Sequence, residues 1–412
     1  MSTYLDLCME LSDEQVSIKE QTHKFARQVM RPAAKALDEM SPTDVITPGS
    51  LYWQTMRQMK ELGYHTVLLP EEYGGLGLDP LGIHIFFEEL GWGSAGLAVA
   101  IGVDCFPFMM ASMMGDDELI KELVEPYAAS TDGSMMGCWA ITEPDHGSDQ
   151  LVAGTPYFHN PAIKAQVTAS RTTGGWVLNG QKSAWVSNGA VATHAMLFVQ
   201  IDRSRGMAGG GVAVAPLNLP GVSKGQPLNK MGQRDLPQGE IFFDQVFIPD
   251  RYMLVQSDTY EAVLEQVLAI ANAVMGAIFT GVARAAFEEA LQYSRQRHQG
   301  GRLLCEHQLV QQKLFEMFIQ VETARAYSRN ALVYNLSNNP PVHYYSIASK
   351  IYCTRTAFQV CSTALQLFGG YGLSKEYLIE KLFRDSRAAL IEDGCNDVLA
   401  LAGAEALLRE YF

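Results

Sequence analysis

The spacing of apolar residues changes twice along the chain. From residue 12 to about 135 it is helical: Ser12-Asp13-Glu14-Gln15 has the form of a capping box, and Ile18, Phe25 and Val29 share one stripe behind it. The Pro/Gly-rich stretch 61–80 breaks this zone as a turn, and helical spacing resumes through Phe86–Leu90. From about 136 to 250 the apolar runs are short, as at 175–178, 194–200, 211–215 and 240–243, and Gly, Pro and Asn separate them. Asn179-Gly180 behind one of these runs predicts a hairpin turn. No helical pattern lies between the runs, so the expected sheet is an antiparallel barrel or sandwich, not a parallel one. After Pro249 helical spacing returns, with Leu264, Leu268, Ala271, Met275, Ile278 and Val282 on one face of a helix over 260–297. Further helices are predicted over 306–335, 342–367 and 394–410, and their short connections predict an antiparallel bundle. The expected architecture is α+β and multi-domain: an all-helical N-terminal domain at 1–135, a middle β domain at 136–250, and a C-terminal four-helix bundle at 251–412.

Composition fits this picture and narrows function. Hydrophobic residues make up 48% and charged residues 18% of 412 positions, the profile of packed globular domains. The 45 acidic and 31 basic residues leave a net charge of −14, which repels polyanions and argues against nucleic-acid binding. A small anionic cofactor remains compatible, since a few Arg side chains, hydroxyls and helix N-termini suffice to hold one. Cys8, Cys105, Cys138, Cys305, Cys353, Cys361 and Cys395 are an odd number without CxxC or Cys/His metal spacing, as expected of free thiols in a reducing compartment. No run of about 18 apolar residues suggests a membrane span. The first residues, MSTYLDLCMELSDEQ, have neither a signal h-region nor an Arg-rich presequence, so the expected location is cytoplasmic.

Several familiar chemistries are missing. Gly206–Gly211 precedes a strand instead of opening a helix, which makes it a surface turn and not a dinucleotide loop. No nucleophile elbow is present, and nine dispersed His residues show no metal spacing. Against that background, an ordered series of segments stands out. It comprises the Pro70–Gly77 turn, Trp139–Asp149 (WAITEPDHGSD), Asn179–Gly189 (NGQKSAWVSNG), Lys230–Arg234, Arg297–Gln308, Gln366–Gly372 (QLFGGYG), and Arg384-Asp385 leading to Ile391–Cys395 (IEDGC). In this order and spacing, over nearly the whole chain, the series resembles the acyl-CoA dehydrogenase family.

The resemblance implies the same helical, β, helical-bundle order and a non-covalent FAD between the β domain and the bundle. It also implies a homo-oligomer, most often a tetramer, an acyl-CoA substrate, and an electron-transfer flavoprotein as acceptor. By matching positions, Trp139, Ile141 and Thr142 look like the strand lining the flavin ring, and Gly147-Ser148 like the turn near its pyrophosphate and the substrate. Trp185 and Ser187 resemble the pair at flavin N5, an indole on the ring face and a hydroxyl that donates to N5. Arg297 resembles the Arg that reaches the FAD diphosphate across a subunit boundary, where its fork suits two phosphates. Gln366, Gly369 and Gly370 match the loop that lets backbone approach the cofactor. Arg384 and Asp385 look like a structural pair steadying the segment before the active site.

Desaturating a thioester needs a base near the α-carbon, and in the family a Glu takes that proton while the β-hydride moves to N5. The family pattern here is hydrophobic, aromatic, Glu, Gly, Thr; this chain has Ile391-Glu392-Asp393-Gly394-Cys395, which puts Asp393 at the base position and Cys395 in the cofactor-contacting place of the Thr. Asp has a similar intrinsic pKa, but its stem is about 1.5 Å shorter. A shift of ~1 Å can cost ~100-fold in rate, so the substrate must sit closer or differ in shape from a straight chain. Some relatives place the base on the first long bundle helix; the matching residue here is Ala271, with Asn272 where an Arg is common. Glu392 is the other candidate. Gly300 replaces a usual Phe, which suggests space beside the flavin for a cyclic or branched acyl group. Nitroalkane oxidases resemble the same fold and use an Asp at the equivalent place, which makes a flavin oxidase the alternative function. A flavin-bearing interaction module without turnover is a third.

Overall fold

The computed structural model describes residues 10–411; the expectations placed on the first residues, Cys8 among them, lie outside it. The N-terminal region is helical, with α1 (Asp13–Phe25), α2 (Arg31–Glu39), α3 (Leu51–Glu61), α4 (Pro80–Gly93) and α5 (Ala95–Met114) as its main helices. The capping box is formed: Ser12 Oγ accepts from the Gln15 amide at 3.2 Å, and Gln15 Oε1 accepts from the Ser12 amide at 3.1 Å.

Eight strands follow: β1 (Gly137–Ala140), β2 (Thr168–Thr172), β3 (Gly175–Lys182), β4 (His194–Gln200), β5 (Gly210–Pro216), β6 (Val222–Lys224), β7 (Ile241–Pro249) and β8 (Met253–Val255). They form one sheet in the order β6-β7-β3-β2-β4-β5-β8, with β1 paired to β4 off this path. The expected antiparallel pairing holds for most neighbours, but β1 and β2 both run parallel to β4. Parallel pairing needs a long return connection: residues 141–193 lie between β1 and β4, and β3 with the loop after it lies between β2 and β4. The hairpin also differs from expectation. The β2–β3 turn uses Gly174 at φ +76°, while Asn179-Gly180 lies inside β3 at a bulge, where Asn179 Oδ1 accepts from the Gln245 amide at 2.9 Å. The Gly206 turn precedes β5 as expected, yet it is buried and not at the surface; its carbonyl accepts from Gln200 Nε2 at 2.9 Å.

Five further helices complete the chain: α6 (Tyr260–Ser294), α7 (Gln308–Ser337), α8 (His343–Phe368), α9 (Leu378–Ala388) and α10 (Asn396–Tyr411). Helix α9 has no counterpart among the sequence-predicted elements. All six apolar positions predicted for one face of α6 are buried. Helices α5 and α6 are long and apolar enough to cross a membrane, contrary to the sequence reading, but 78% and 72% of their most apolar windows are buried within the protein. That burial is what core helices require.

Apolar burial divides into two cores. One joins the sheet to α5 and takes Leu264, Leu268 and Ala271 from α6; the other joins the N-terminal helices to the bundle and takes α6 from Ala273 onward. Helix α6 therefore passes from one core to the other at Asn272.

Candidate functional site

A buried ionic network fixes the strand that opens the β domain. Asp104 of α5 pairs with Lys60 of α3 at 2.6 Å, neither side chain reaching solvent, and its other oxygen accepts from the Gly137 amide at 2.7 Å. Parallel pairing with β4 then places Trp139, whose ring meets Phe106 edge-on at 4.9 Å and Phe198 at 5.3 Å. A second fully buried pair, Lys182–Glu143 at 2.8 Å, lies beyond it. Lys182 also donates to the Ile141 carbonyl at 3.0 Å, and Glu143 accepts from the Val167 amide at 3.0 Å. These bonds hold Ile141-Thr142 against β3. The Thr142 carbonyl accepts from the Ser183 amide at 2.9 Å, and its half-buried hydroxyl has no protein partner among the described residues.

Past β3 the chain turns at Asn188, which takes a left-handed φ of +62°. Its side chain donates to the carbonyls of Ala100 at 2.8 Å and Gly137 at 3.1 Å, joining three elements. The preceding Ser187 bridges Trp139 on one side and Gln238 on the other. Gln238 has its carbonyl oxygen occupied by Lys230 Nζ at 2.7 Å, so its amide nitrogen faces Ser187 Oγ at 3.2 Å and the Trp185 carbonyl at 3.1 Å. Ser187 thus accepts from protein and keeps its own proton to donate. The Trp185 indole, 58% exposed, has no core role that would explain its position.

Three polymer regions meet at Asp393. The Cys395 amide donates to Ser148 Oγ at 2.8 Å, tying the turn at Gly147-Ser148 to the segment between α9 and α10. A Cβ on Gly147 would meet no atom within 4 Å, which leaves that face open. Asp393 adopts a left-handed φ of +51°, a conformation Asp tolerates better than most residues. Its carboxylate accepts from Asn272 Nδ2 at 2.6 Å. Burial raises the Asp393 carboxyl to about 6, against the opposing pull of the Lys350 ammonium and the Asn272 hydrogen bond. Lys350 is itself buried and lowered to about 8 by desolvation; it donates to the Gly394 carbonyl at 2.5 Å and Asn396 Oδ1 at 2.8 Å. Glu392 points elsewhere, to Gln233 Nε2, and burial raises its carboxyl to about 7. A half-buried carboxylate tuned towards neutrality can take a proton from a weak carbon acid.

Trp139, Ile141, Thr142, Gly147, Ser148, Trp185, Ser187, Asp393 and Cys395 are held by this one web of contacts. Arg297, Gln366, Gly369 and Gly370 are not part of it. They occupy the far end of the bundle, where the Arg297 guanidinium lies over the Tyr371 ring at 5.3 Å and the two glycines have open space above them. From Asn272 to the end of α6 at Ser294 is about 33 Å at ~1.5 Å per residue. Gly300 belongs to this far end too, in an exposed turn at φ +61°. Arg384 and Asp385 are structural, but they do not pair with each other: Arg384 binds Asp38 at 2.6 Å, and Asp385 binds Lys381 at 2.6 Å. Sequence reasoning missed Lys350, His343 and Gln238, which sit in ordinary helical or loop spacing with no local signal.

The chain thus carries an exposed Trp185 indole, a Ser187 hydroxyl with its proton free to donate and a raised Asp393 carboxyl on a helical domain, a β domain and a helical bundle in succession. Models of the acyl-CoA dehydrogenase N-terminal, middle and C-terminal domains match residues 12–131, 138–246 and 261–408, and the chain belongs to the acyl-CoA dehydrogenase family. It is 29% identical over 398 residues to benzylmalonyl-CoA dehydrogenase of Aromatoleum aromaticum, covering 96% of this chain and 98% of that one. It is 28% identical to the mitochondrial short-chain specific acyl-CoA dehydrogenase of Rattus norvegicus, over 98% of this chain and 92% of that one. Butyryl-CoA dehydrogenase from Megasphaera elsdenii superposes with a TM-score of 0.86 at 26% identity, covering 98% of this chain and all of the other.

Proposed function

We propose that this protein desaturates a branched or ring-bearing acyl-CoA thioester between its α and β carbons, with Asp393 as the base. The observation that carries the proposal is the Asp393 carboxylate itself, raised to about 6 and held by Asn272 at the junction of the β domain and the bundle. The fit to FAD rests on the exposed Trp185 indole, the unpartnered Thr142 hydroxyl and the open backbone at Gly147, Gly369 and Gly370. Bound there, FAD supplies the acceptor for the β-hydride.

Asp393 takes the α-proton. Trp185 would cover the flavin ring face, and the Ser187 hydroxyl, already fixed by Gln238, would donate where negative charge develops. Ser148 holds the Cys395 amide and so keeps the base segment against the β domain. Arg297, Gln366, Gly369 and Gly370 lie too far from Asp393 to serve the same cofactor within one subunit. They fit the diphosphate and adenosine end of a neighbour's FAD, which makes the working unit a homo-oligomer, a tetramer in our proposal. Electrons leave to an electron-transfer flavoprotein, and the protein works in the cytoplasm.

The short Asp393 stem favours a substrate that differs in shape from a straight chain, and a mostly apolar cavity of about 340 Å³, lined by Leu68, Met109, Ile270 and Leu336 among others, with Glu71 its one acidic residue, offers room for an acyl group. Anaerobic titration of the yellow protein with straight-chain, branched and alicyclic CoA esters tests this. Bleaching should be fastest with the branched or cyclic esters; fastest bleaching by butyryl- or octanoyl-CoA would overturn the shape assignment. The Asp at the base position also suits a nitroalkane oxidase, and peroxide formation from nitroethane with no response to any CoA ester would favour that function.

A further inference from the structure

We infer that Asn272 and His343 form a positioning relay that sets the orientation of the Asp393 carboxylate, an inference that rests on Asp393 being the base. Asn272 is fully buried on α6, at the point where the helix leaves one core for the other. Its amide nitrogen donates twice to the same residue, to Asp393 Oδ2 at 2.6 Å and to the Asp393 carbonyl at 3.2 Å. Both partners are acceptors, so the amide can face them only with its NH₂ group. Its oxygen, on the opposite side, meets His343 Nε2 at 3.2 Å.

The Asp393 acceptors fix which way the amide points, and the imidazole holds it from the other side. Burial lowers His343 to about 4, so the ring is neutral above that pH, and the tautomer carrying its proton on Nε2 donates to Asn272 Oδ1. A flipped Asn272 would set two oxygens face to face at Asp393, so the amide oxygen is left towards His343 and selects the tautomer protonated on Nε2. His343 begins α8, the helix that also carries Lys350, so one helix supplies both the amide's clamp and the ammonium facing Asp393.

The relay has a specific task. Asp393 and Gly394 are consecutive left-handed residues, at φ +51° and +88°, and such a turn needs an outside partner to hold it. Asn272 grips the backbone carbonyl and the carboxylate together, which leaves the short side chain few rotamers. Two further groups touch this turn: the Ser148 hydroxyl, at the Cys395 amide, and Lys350 Nζ, at the Gly394 carbonyl. The charges facing the carboxylate are the Lys350 ammonium and the neighbouring Glu392 carboxyl. Neither of them contacts Asn272 or depends on His343.

The test uses purified FAD-loaded protein in anaerobic stopped-flow, with the flavin-to-protein ratio measured for every variant. Asn272→Ala should lower the limiting rate of substrate-driven flavin reduction by about 10- to 100-fold, the range for a displaced catalytic group, with substrate Kd changed by no more than about threefold. Loss of the donor should also move the inflection of the rate–pH profile upward, because the carboxylate form loses a hydrogen bond. His343→Phe should fall between parent and Asn272→Ala. His343→Gln, which keeps a donor at similar reach, should recover most of the rate, and a mere packing role would not separate these two variants. Parental rate and parental pH profile in Asn272→Ala, with reduction abolished in Asp393→Asn, would overturn the relay and leave the base in place. Parental reduction in Asp393→Asn would remove the base and the relay together. If Asn272→Ala lost its flavin, the two His343 variants would decide, and equal rates in both would overturn the relay.

Discussion

The raised carboxyl at Asp393 makes a prediction that an ordinary aspartate would not. With the folded value near 6 and the usual one at 3.8, the two cases separate between pH 5 and pH 7. A base near 6 is about one-tenth ionised at pH 5 and about nine-tenths at pH 7, so flavin reduction should rise by about tenfold over that interval. An aspartate at 3.8 would already be about nine-tenths ionised at pH 5, and the same interval would be flat. The assay is the limiting rate of anaerobic flavin bleaching at saturating CoA ester, taken every half unit of pH. Glu392, raised to about 7 by burial, titrates nearby and must be separated. Glu392→Gln should keep an inflection near 6, whereas Asp393→Asn should lower the rate by about 10²- to 10⁴-fold, the usual contribution of a general base. A profile that stays flat from pH 5 to 7 in the parent, or an inflection that disappears in Glu392→Gln, would refute the assignment.

The same carboxyl should weaken the fold. A carboxyl whose folded value is raised opposes folding once ionised, so stability falls as pH climbs from about 4 through 6. At pH 7 Asp393→Asn should therefore be more stable by about 1–3 kcal/mol in denaturant melts, and at pH 4 the gain should vanish; an equal gain at both values would contradict the shift. Lys182→Met strands the buried Glu143 carboxylate beneath Ile141-Thr142 and should cost about 3–5 kcal/mol, with Glu143→Gln added to Lys182→Met recovering part of it. A loss below about 1 kcal/mol would mean that the pair is hydrated. Arg297→Ala should lower FAD occupancy while far-ultraviolet circular dichroism stays unchanged, and full occupancy would remove Arg297 from cofactor binding.

Much of this protein is legible from local pattern. Capping at Ser12, the apolar face of α6 and the lengths of the bundle helices follow from rules that act over one or two turns, where neighbours in sequence are neighbours in space. The ordered segments around Trp139, Trp185, Arg297 and Asp393 carry the family resemblance for a related reason: each is a short stretch whose residue types can be compared without knowing its distant partners. Local signals failed where a distant partner outweighs them. Asn179-Gly180 has hairpin chemistry, but pairing with β7 on the other side of β3 turns it into a bulge. The Gly206 turn looks like surface, but packing around Phe158 buries it.

What the sequence alone determined is the succession of helical, β and helical zones and the family to which the chain belongs. Only the tertiary structure decided that Arg384 and Asp385 have separate partners, that Gly300 and Arg297 lie beyond the far end of a helix that runs about 33 Å on from Asn272, and that Asn272, His343 and Lys350 gather around Asp393. The physical reason is range. Periodicity and capping depend on contacts within a turn or two, whereas a buried polar group is specified by whichever acceptor or donor the packing of remote helices brings within hydrogen-bond distance.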